Sequence, residues 1–195
     1  MDARARRSLE RLSAAVLELA ADNAPETLSV SEVARCAGVH RSTFYEHSDS
    51  PSALLRSVLR DELDDARERH LGGPAARDWT AAVGATTREV LEHLERHRSV
   101  YLRSLASPAD GTLRTLLADH FAASVLLLLE RGAVPSPVTD PQLVARYVAE
   151  GTVGALSVWL AHEQRDLDSF LTSCAQLAPS WWPLRVAGGG GGTPT

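Results

Sequence analysis

The spacing of the apolar residues constrains the fold of this chain more than any other feature. Near the N-terminus they recur at three- and four-residue steps, at Leu9, Leu12, Val16, Leu19 and Ala20. This is the spacing of a helix with one apolar face. No run of residues alternates between apolar and polar as a half-buried strand does. The sequence therefore predicts an all-α protein.

Breaks in the helical pattern divide the chain into about nine helices. Pro25 cannot continue the first helix, and Gly72, Gly73 and Pro74 separate the fourth from the fifth. Asp140 before Pro141 is typical of a helix start, with Asp as the N-cap and Pro at the first helical position. Short helices lie near the N-terminus, and the longer ones are predicted at about 51–70, 79–97, 111–131, 141–162 and 167–177.

Composition and charge exclude several classes of protein. No stretch reaches the ~18 uninterrupted apolar residues that a membrane span needs. The first twenty residues carry acidic side chains where a signal peptide has a smooth apolar core. Cys36 and Cys174 lie far apart, which argues against a disulfide framework or a CxxC metal site. We therefore expect a cytoplasmic protein that does not associate with a membrane.

Residues 28–47 have the local pattern of a helix-turn-helix. Ser29 followed by Glu32 is a capping box, in which each side chain satisfies a backbone N–H at the helix start. Gly38 permits the left-handed backbone conformation that ends a helix sharply. A second short helix is predicted over residues 40–47. Two short helices joined by a tight turn that contains glycine make up the helix-turn-helix unit.

The second of these helices has the side chains that a DNA-reading helix requires. Its exposed face offers hydrogen-bond donors to phosphates and base edges: His40, Arg41, Ser42, Thr43, Tyr45 and His47. We expect Arg41 to read bases, because a guanidinium can bind guanine O6 and N7 in a bidentate way. Thr43 and Tyr45 are predicted to contact phosphates, which fix register without reading sequence. Val39 and Phe44 are predicted to hold the helix to the protein.

The segment from about Leu12 to Leu59 resembles the DNA-binding domain of TetR-family transcriptional regulators. The match is carried by the stretches LSVSEVA at 28–34, AGV at 37–39, STFYEH at 42–47 and LL at 54–55. The resemblance implies a three-helix DNA-binding domain at 1–50 and a helical effector-binding and dimerisation domain at 51–187. It also implies that Ser29 and Ser31 lie near the DNA backbone. The glycine-rich residues 188–195 are predicted to be a disordered tail.

Two positions depart from the family pattern. Ser48 stands where the family usually has Phe, and Pro51 stands where it usually has a Lys that contacts a phosphate. Arg56 or the N-terminal arginines are candidate substitutes for that lysine. Arg4, Arg6 and Arg7 are read either as a basic arm or as a frayed, solvated terminus. An alternative function follows, a ligand-binding or interaction module of the same fold in which DNA binding is weak or lost.

Helices eight and nine carry the candidate dimerisation residues. These are Tyr147, Gly151, Gly154, Ala155, Val158, Trp159 and Phe170. Small residues let a second helix approach closely, although the same residues also suit packing within one chain. A homodimer would read a palindromic DNA operator whose half-sites lie about one turn, ~34 Å, apart.

The resemblance further implies a small-molecule effector bound in the larger domain. The candidate lining residues are Trp79, Val83, Tyr101, Leu105, Leu117 and Phe121, and ordinary core packing is the alternative for each. An apolar cavity there would select a hydrophobic or aromatic molecule. The predicted function is thus a dimeric repressor that such an effector releases from its operator.

Catalytic and metal-binding patterns are weak in this sequence. His93 and His97 are four residues apart on a helix, with Glu89 and Glu92 near them, and this spacing suits a metal ion. No third ligand is evident, so the sequence assigns no metal site and no cofactor. A GxSxG motif, a P-loop and a dinucleotide-binding turn are all missing, so no enzymatic activity is predicted.

Overall fold

The structure is a computed structural model that describes residues 3–73, 78–106 and 111–184. Nine α-helices, one 3-10 turn and no strand occur among these residues, so the all-α prediction is confirmed. The helices are α1 (Ala3–Asp22), α2 (Val30–Ala37), α3 (Arg41–Tyr45), α4 (Pro51–Leu71), α5 (Trp79–Arg96), α6 (Arg98–Ala106), α7 (Thr112–Glu130), α8 (Pro141–Ala161) and α9 (Leu167–Leu177). The 3-10 turn, Pro25–Thr27, lies between α1 and α2. The predicted disordered tail, 188–195, is outside the described residues.

The described chain divides into two compact units. The first contains the residues up to Asp64 together with His93–His120, and the second contains Asp65–Glu92 and the described residues from Phe121 onward. Helices α4, α5 and α7 contribute residues to both. The first unit thus holds more than residues 1–50, and the predicted division at residue 50 stays a prediction.

In the first unit, α1 packs against α2 and α6, and α2 packs against α3. The apolar residues at helical spacing face inward. Leu12 and Val16 of α1, Val33 of α2 and Phe44 of α3 have no exposed surface. Burial of these side chains holds the short helices in place, because helices of five and eight residues are not stable alone in water.

The side chain of Arg103, on α6, caps the C-terminus of α1. Its guanidinium donates to the carbonyl oxygens of Ala20, Ala21 and Asn23 at 2.8, 2.9 and 2.7 Å. The last four carbonyl groups of a helix have no partner within the helix. Arg103 therefore satisfies acceptors that would otherwise depend on water, and its positive charge lies at the negative end of the helix dipole.

In the second unit, an arginine side chain caps the C-terminus of α4 in the same way. Arg131 donates to the carbonyl oxygens of Leu71, Gly72 and Gly73 at 2.7, 3.0 and 2.6 Å. The same unit contains an apolar cluster of buried residues, Leu71, Val83, Leu128, Val134 and Leu184. A second cluster, formed by Ala122, Val125, Val144, Ala145 and Ala149, joins α7 to α8.

Helix α8 begins where the sequence predicted. The Asp140 side chain accepts hydrogen bonds from the backbone N–H groups of Gln142 at 2.9 Å and Leu143 at 3.4 Å. Pro141 occupies the first helical position, where a missing N–H costs nothing. The prediction of this helix start is confirmed.

Helix α7 is long and apolar enough to cross a membrane by length and composition, and 44% of its most apolar window is buried in the structure. The core helix of a soluble protein passes the same test. It contains Arg114, Asp119 and His120, which is why the sequence shows no uninterrupted apolar run there.

Candidate DNA-binding site

The capping box at the start of α2 forms as the sequence predicts. The Ser29 hydroxyl accepts from the Glu32 N–H at 3.2 Å, and the Ser29 N–H donates to Glu32 Oε2 at 2.9 Å. The Ser29 hydroxyl also donates to the same carboxylate at 2.7 Å. These hydrogen bonds from Ser29 hold the pKa of Glu32 below its ordinary value. The carboxylate is therefore charged at neutral pH, as the positive end of the helix dipole favours.

Gly38 ends α2 in the left-handed conformation that the sequence predicts, with φ +61°. The next residue, Val39, donates its N–H to the Ala34 carbonyl at 2.9 Å. Arg11 of α1 donates to the Gly38 carbonyl at 3.1 Å, and a Cβ at Gly38 would lie 2.4 Å from the same Arg11 nitrogen. The backbone angle therefore favours glycine, and a larger residue here would also displace the end of the Arg11 side chain.

Helix α3 is a single short turn fixed by one buried ring. Phe44 is completely buried, whereas the adjacent Tyr45 is 53% exposed. The two rings meet edge to face with their centroids 5.8 Å apart. The predicted anchoring role fits Phe44 well, and Val39 is half-buried beside it.

The predicted DNA-contacting residues lie mostly on the open surface of this motif. Ser29, Ser31, His40, Arg41, Ser42 and Tyr45 are exposed, while Thr43 and His47 are half-buried. The Nε2 atom of His47 is buried and has no hydrogen-bond partner. Because that atom does not reach solvent, His47 offers less to a nucleic acid than the sequence suggested. The contacts of all eight residues with DNA stay predictions.

The segment after α3 keeps the fold despite its departures from the family pattern. The Ser50 hydroxyl accepts from the Ala53 N–H at 3.2 Å and so caps α4. The Ser48 hydroxyl donates to the Ser50 carbonyl at 3.1 Å, in the position where the family usually has an aromatic ring. Pro51 begins α4 and is buried, so it offers no group to a phosphate.

The exposed basic side chains near the motif belong to α1, α2, α3 and α4. Arg35, Arg41, Arg56 and Arg60 are exposed. The N-terminal arginines Arg4, Arg6 and Arg7 are exposed too, but they lie within α1, which is helical from Ala3 onward. Arg6 pairs with Glu10 at 3.7 Å. The structure describes these three arginines as helical, and both the basic arm and the frayed terminus stay predictions.

The candidate effector residues do not fall in one unit. Tyr101, Leu105 and Leu117 are in the first unit, and Trp79, Val83 and Phe121 are in the second. Tyr101, Leu117 and Val83 are buried, and the other three are half-buried. A role in effector binding stays a prediction for all six.

The candidate dimerisation residues separate into an exposed set and an internal set. Tyr147 is 76% exposed and Val158 is 62% exposed. Trp159 is buried and stacks on Phe170 within the chain, with ring centroids 5.0 Å apart. For this pair the structure shows the internal packing that was the alternative to an interface.

His93, in the last turn of α5, and His97, the residue after that helix, have a third neighbour that the sequence did not reveal. Glu62 of α4 places its Oε2 atom 2.9 Å from His93 Nδ1 and 3.0 Å from His97 Nε2. Glu89, a candidate partner from the sequence, instead bonds to Arg69 and His70. Glu62 lies 31 and 35 residues before the two histidines, so no local spacing signals the contact.

Comparison with known proteins supports the fold. No family model and no curated protein matches the chain. Among solved structures, a TetR-family transcriptional regulator from Streptomyces coelicolor matches at 20% identity with a TM-score of 0.59, covering 91% of this chain and 85% of its own. The TetR-family repressor FadR of Thermus thermophilus, in complex with lauroyl-CoA, matches at 22% identity with a TM-score of 0.61. The match covers 94% of this chain and 100% of FadR. The dihydroxyacetone kinase operon activator DhaS matches at 16% identity with a TM-score of 0.64. The match covers 87% of this chain and 93% of DhaS. The chain therefore has the fold of the TetR-family transcriptional regulators.

Proposed function

We propose that this protein is a dimeric, cytoplasmic, non-enzymatic transcriptional regulator that binds a palindromic DNA operator through α2 and α3. The observation that carries the proposal is the division of α3 into a buried anchor and a polar face. Phe44 is completely buried and anchors the helix to the protein, while Arg41, Ser42 and Tyr45 are exposed to solvent. A short polar helix held at the surface in this way suits the major groove of DNA.

A second candidate function rests on Pro51. A helix start without a donor at this position lacks one phosphate contact that the resemblance implies, and phosphate contacts supply much of the affinity for DNA. The net charge of −5 adds no general attraction to nucleic acid. The alternative is a ligand-binding or interaction module of the same fold that binds DNA weakly or not at all.

Changing Arg41 to alanine should lower affinity for the operator and relax its sequence preference. Loss of a bidentate contact to guanine costs about 1–3 kcal/mol, which corresponds to about 5- to 150-fold in affinity. A mobility-shift assay with DNA that flanks the gene for this protein measures the effect. Arg69→Ala is the matched control, since it removes the same charge from the second unit.

Two results of this assay would favour the module without DNA binding. One is the absence of any sequence-specific shift with the unmodified protein. The other is a shift that Arg41→Ala and Arg69→Ala weaken to the same extent. Variation of the salt concentration then separates phosphate contacts from base contacts, because only the former set the salt dependence of affinity.

The proposed dimer interface is an exposed apolar stripe along α8. Steps of four, four, three and four residues place five side chains on one face of the helix: Leu143, Tyr147, Gly151, Gly154 and Val158. Four of them are exposed and Gly154 is half-buried. Among the residues that the structure describes, a Cβ added at Gly151 or Gly154 would meet nothing within 4 Å, so no described neighbour accounts for these glycines. Leu177 of α9, which is 79% exposed, is a further large exposed apolar side chain of the same unit.

Val158→Asp should convert the dimer to a monomer. A carboxylate buried in an apolar interface without a partner is strongly unfavourable. Val138→Asp is the control, because Val138 is a large exposed apolar residue outside the stripe. Sedimentation velocity measures the mass of each variant. A dimer that persists with Val158→Asp, or an unmodified protein that sediments as a monomer, would contradict the proposed interface.

The effector and the direction of regulation belong to the same proposal. We infer repression relieved by a small hydrophobic molecule, which the solved FadR complex with lauroyl-CoA supports by analogy of fold. The operon activator DhaS has the same fold, so the fold alone does not set the direction. The mobility-shift assay, repeated with an added ligand, is the measurement that tests this part, since an effector acts only through different affinities for two states.

A further inference from the structure

Three polar side chains of the first unit converge at a point that DNA binding does not use. Glu62 comes from α4, His93 from the last turn of α5, and His97 from the residue between α5 and α6. Their ligand atoms all lie within 4.8 Å of one another. His93 is 2% exposed and Tyr101, whose hydroxyl it meets, is completely buried, so one side of the cluster is shielded from water.

The residue types and their spacing suit a transition-metal ion. Two histidines four residues apart on one helical face, joined by a carboxylate from another helix, are ligands of the kind found at zinc sites. Imidazole nitrogen suits Zn²⁺, Cu²⁺ and Ni²⁺, whereas Mg²⁺ and Ca²⁺ prefer sites made of oxygen alone. The cluster therefore selects a borderline divalent ion.

The two distances from Glu62 are close to those of such a site, and all three ligand atoms lie within 4.8 Å of one another. Ligand atoms of a tetrahedral zinc site lie about 3.3 Å apart, given bonds of about 2.0–2.1 Å. Here Glu62 Oε2 lies 2.9 Å from His93 Nδ1 and 3.0 Å from His97 Nε2. A small rotation of the Glu62 carboxylate, which moves its oxygen by a few tenths of an ångström, would lengthen both distances to about 3.3 Å. The side chain is 35% exposed and has room to move.

The second nitrogen of His93 has the partner that a metal ligand needs. Its Nε2 atom lies 2.8 Å from the Tyr101 hydroxyl. With a metal ion on Nδ1, the ring would donate its Nε2–H to the Tyr101 oxygen, an orienting contact of the kind that accompanies ligating histidines. Without metal, Nδ1–H donates to Glu62 and Tyr101 donates to Nε2, so the same geometry also satisfies a purely hydrogen-bonded cluster.

The protonation of His93 and Glu62 and the charge of Arg96 affect whether the cluster binds a metal ion or stays hydrogen-bonded. Burial lowers the pKa of His93, which keeps the ring neutral at neutral pH, and the hydrogen bonds from both histidines hold the pKa of Glu62 well below its usual range. Neutral imidazole and ionised carboxylate are the forms that bind metals. The Arg96 guanidinium lies 3.7 Å from Glu62 Oε2 and opposes a cation, but its side chain is 57% exposed and free to turn toward solvent.

We propose that Glu62, His93 and His97 form a binding site for one divalent transition-metal ion of the zinc class, with water completing the coordination. Binding moves the single proton of each neutral ring to the nitrogen that faces away from the ion, from Nδ1 to Nε2 in His93 and from Nε2 to Nδ1 in His97, with no net release. The ion joins α4 to the junction of α5 and α6, so it stabilises the first unit. The site is independent of the proposed DNA binding, and failure of either leaves the other standing.

Binding of Co²⁺ and Zn²⁺ to the untagged, chelator-treated full-length protein tests the proposal. We expect one Co²⁺ per chain, with the visible absorption of a low-coordinate Co²⁺ site, and its displacement by Zn²⁺. His97→Ala and Glu62→Gln should each weaken Co²⁺ binding at least tenfold. His162→Ala, which removes an exposed histidine after α8, should leave binding unchanged.

Thermal unfolding with and without Zn²⁺ separates a metal site from a hydrogen-bonded cluster. Zn²⁺ should raise the midpoint of the unmodified protein and of His162→Ala, but not that of His97→Ala or Glu62→Gln. A structural role alone would lower the midpoints of the last two variants without metal and give no response to Zn²⁺ in any variant. That result, or Co²⁺ binding that the ligand variants do not weaken, would overturn the proposal.

Discussion

Phe44→Ala is expected to lower the free energy of unfolding by about 3–5 kcal/mol and to abolish specific DNA binding. Truncation of a fully buried phenylalanine removes its transfer free energy and leaves a cavity. Phe44 has no exposed surface, and α3 consists of five residues that cannot remain helical without their anchor. Because folded domains are stable by only about 5–15 kcal/mol, a loss of this size is a large part of the total.

The neighbouring aromatic residue is the matched control. Tyr45 is 53% exposed, so Tyr45→Ala should change the stability by less than about 1 kcal/mol while it still weakens DNA binding if the side chain contacts a phosphate. Urea denaturation followed by far-ultraviolet circular dichroism reports on both units. Tryptophan fluorescence reports on the second unit alone, since Trp79, Trp159, Trp181 and Trp182 all lie there.

A change at Phe44 should therefore move the two denaturation curves apart. Early loss of the dichroism signal, before the fluorescence changes, would place the damage in the first unit. A Phe44→Ala protein with unaltered stability and unaltered operator affinity would show that this ring does not anchor α3, and the main support for the proposed function would be lost.

The features that the sequence predicted correctly depend on neighbours in the chain. The Ser29–Glu32 box, the left-handed Gly38 and the Asp140–Pro141 helix start each involve residues within four positions of one another. Their energetics are set by local backbone geometry, so the residue types suffice to predict them. Phe44 is likewise predicted to be an anchor because it is an apolar residue among the polar residues of a short helix, and it is completely buried.

The features that the sequence missed join residues far apart in the chain. Arg103 contacts residues 80 to 83 positions earlier, and Glu62 meets histidines 31 and 35 positions later. An arginine that caps a distant helix has the same local context as one that is solvated. Stacking of Trp159 on Phe170 also depends on the angle between α8 and α9, which no spacing in either helix specifies.

Arg103→Met should lower the free energy of unfolding by about 2–4 kcal/mol, the second large effect expected in this protein. Methionine keeps most of the length of the side chain but none of its donors. A hydrogen bond to a charged group contributes about 1.5–3 kcal/mol, and the three bonds of one guanidinium are not additive. The carbonyl oxygens at the end of α1 would also lose a partner that complements the helix dipole.

Arg103→Lys distinguishes the shape of the guanidinium from its charge. A lysine ammonium is a single point charge and cannot reach three carbonyl oxygens in the way that the planar fork does, so less than half of the stability should return. Arg60→Met, at an exposed position on α4, controls for the loss of one positive charge and should be nearly neutral.

Amide hydrogen exchange locates the effect of Arg103. Loss of the cap should speed exchange in the last turn of α1, because that turn then frays, while exchange in α8 and α9 stays unchanged. Since α1 packs against α2, a loosened α1 should also weaken operator binding without any change at a DNA-contacting residue. Full recovery of stability in Arg103→Lys would mean that charge alone holds the end of α1, and the geometric account of this cap would fail.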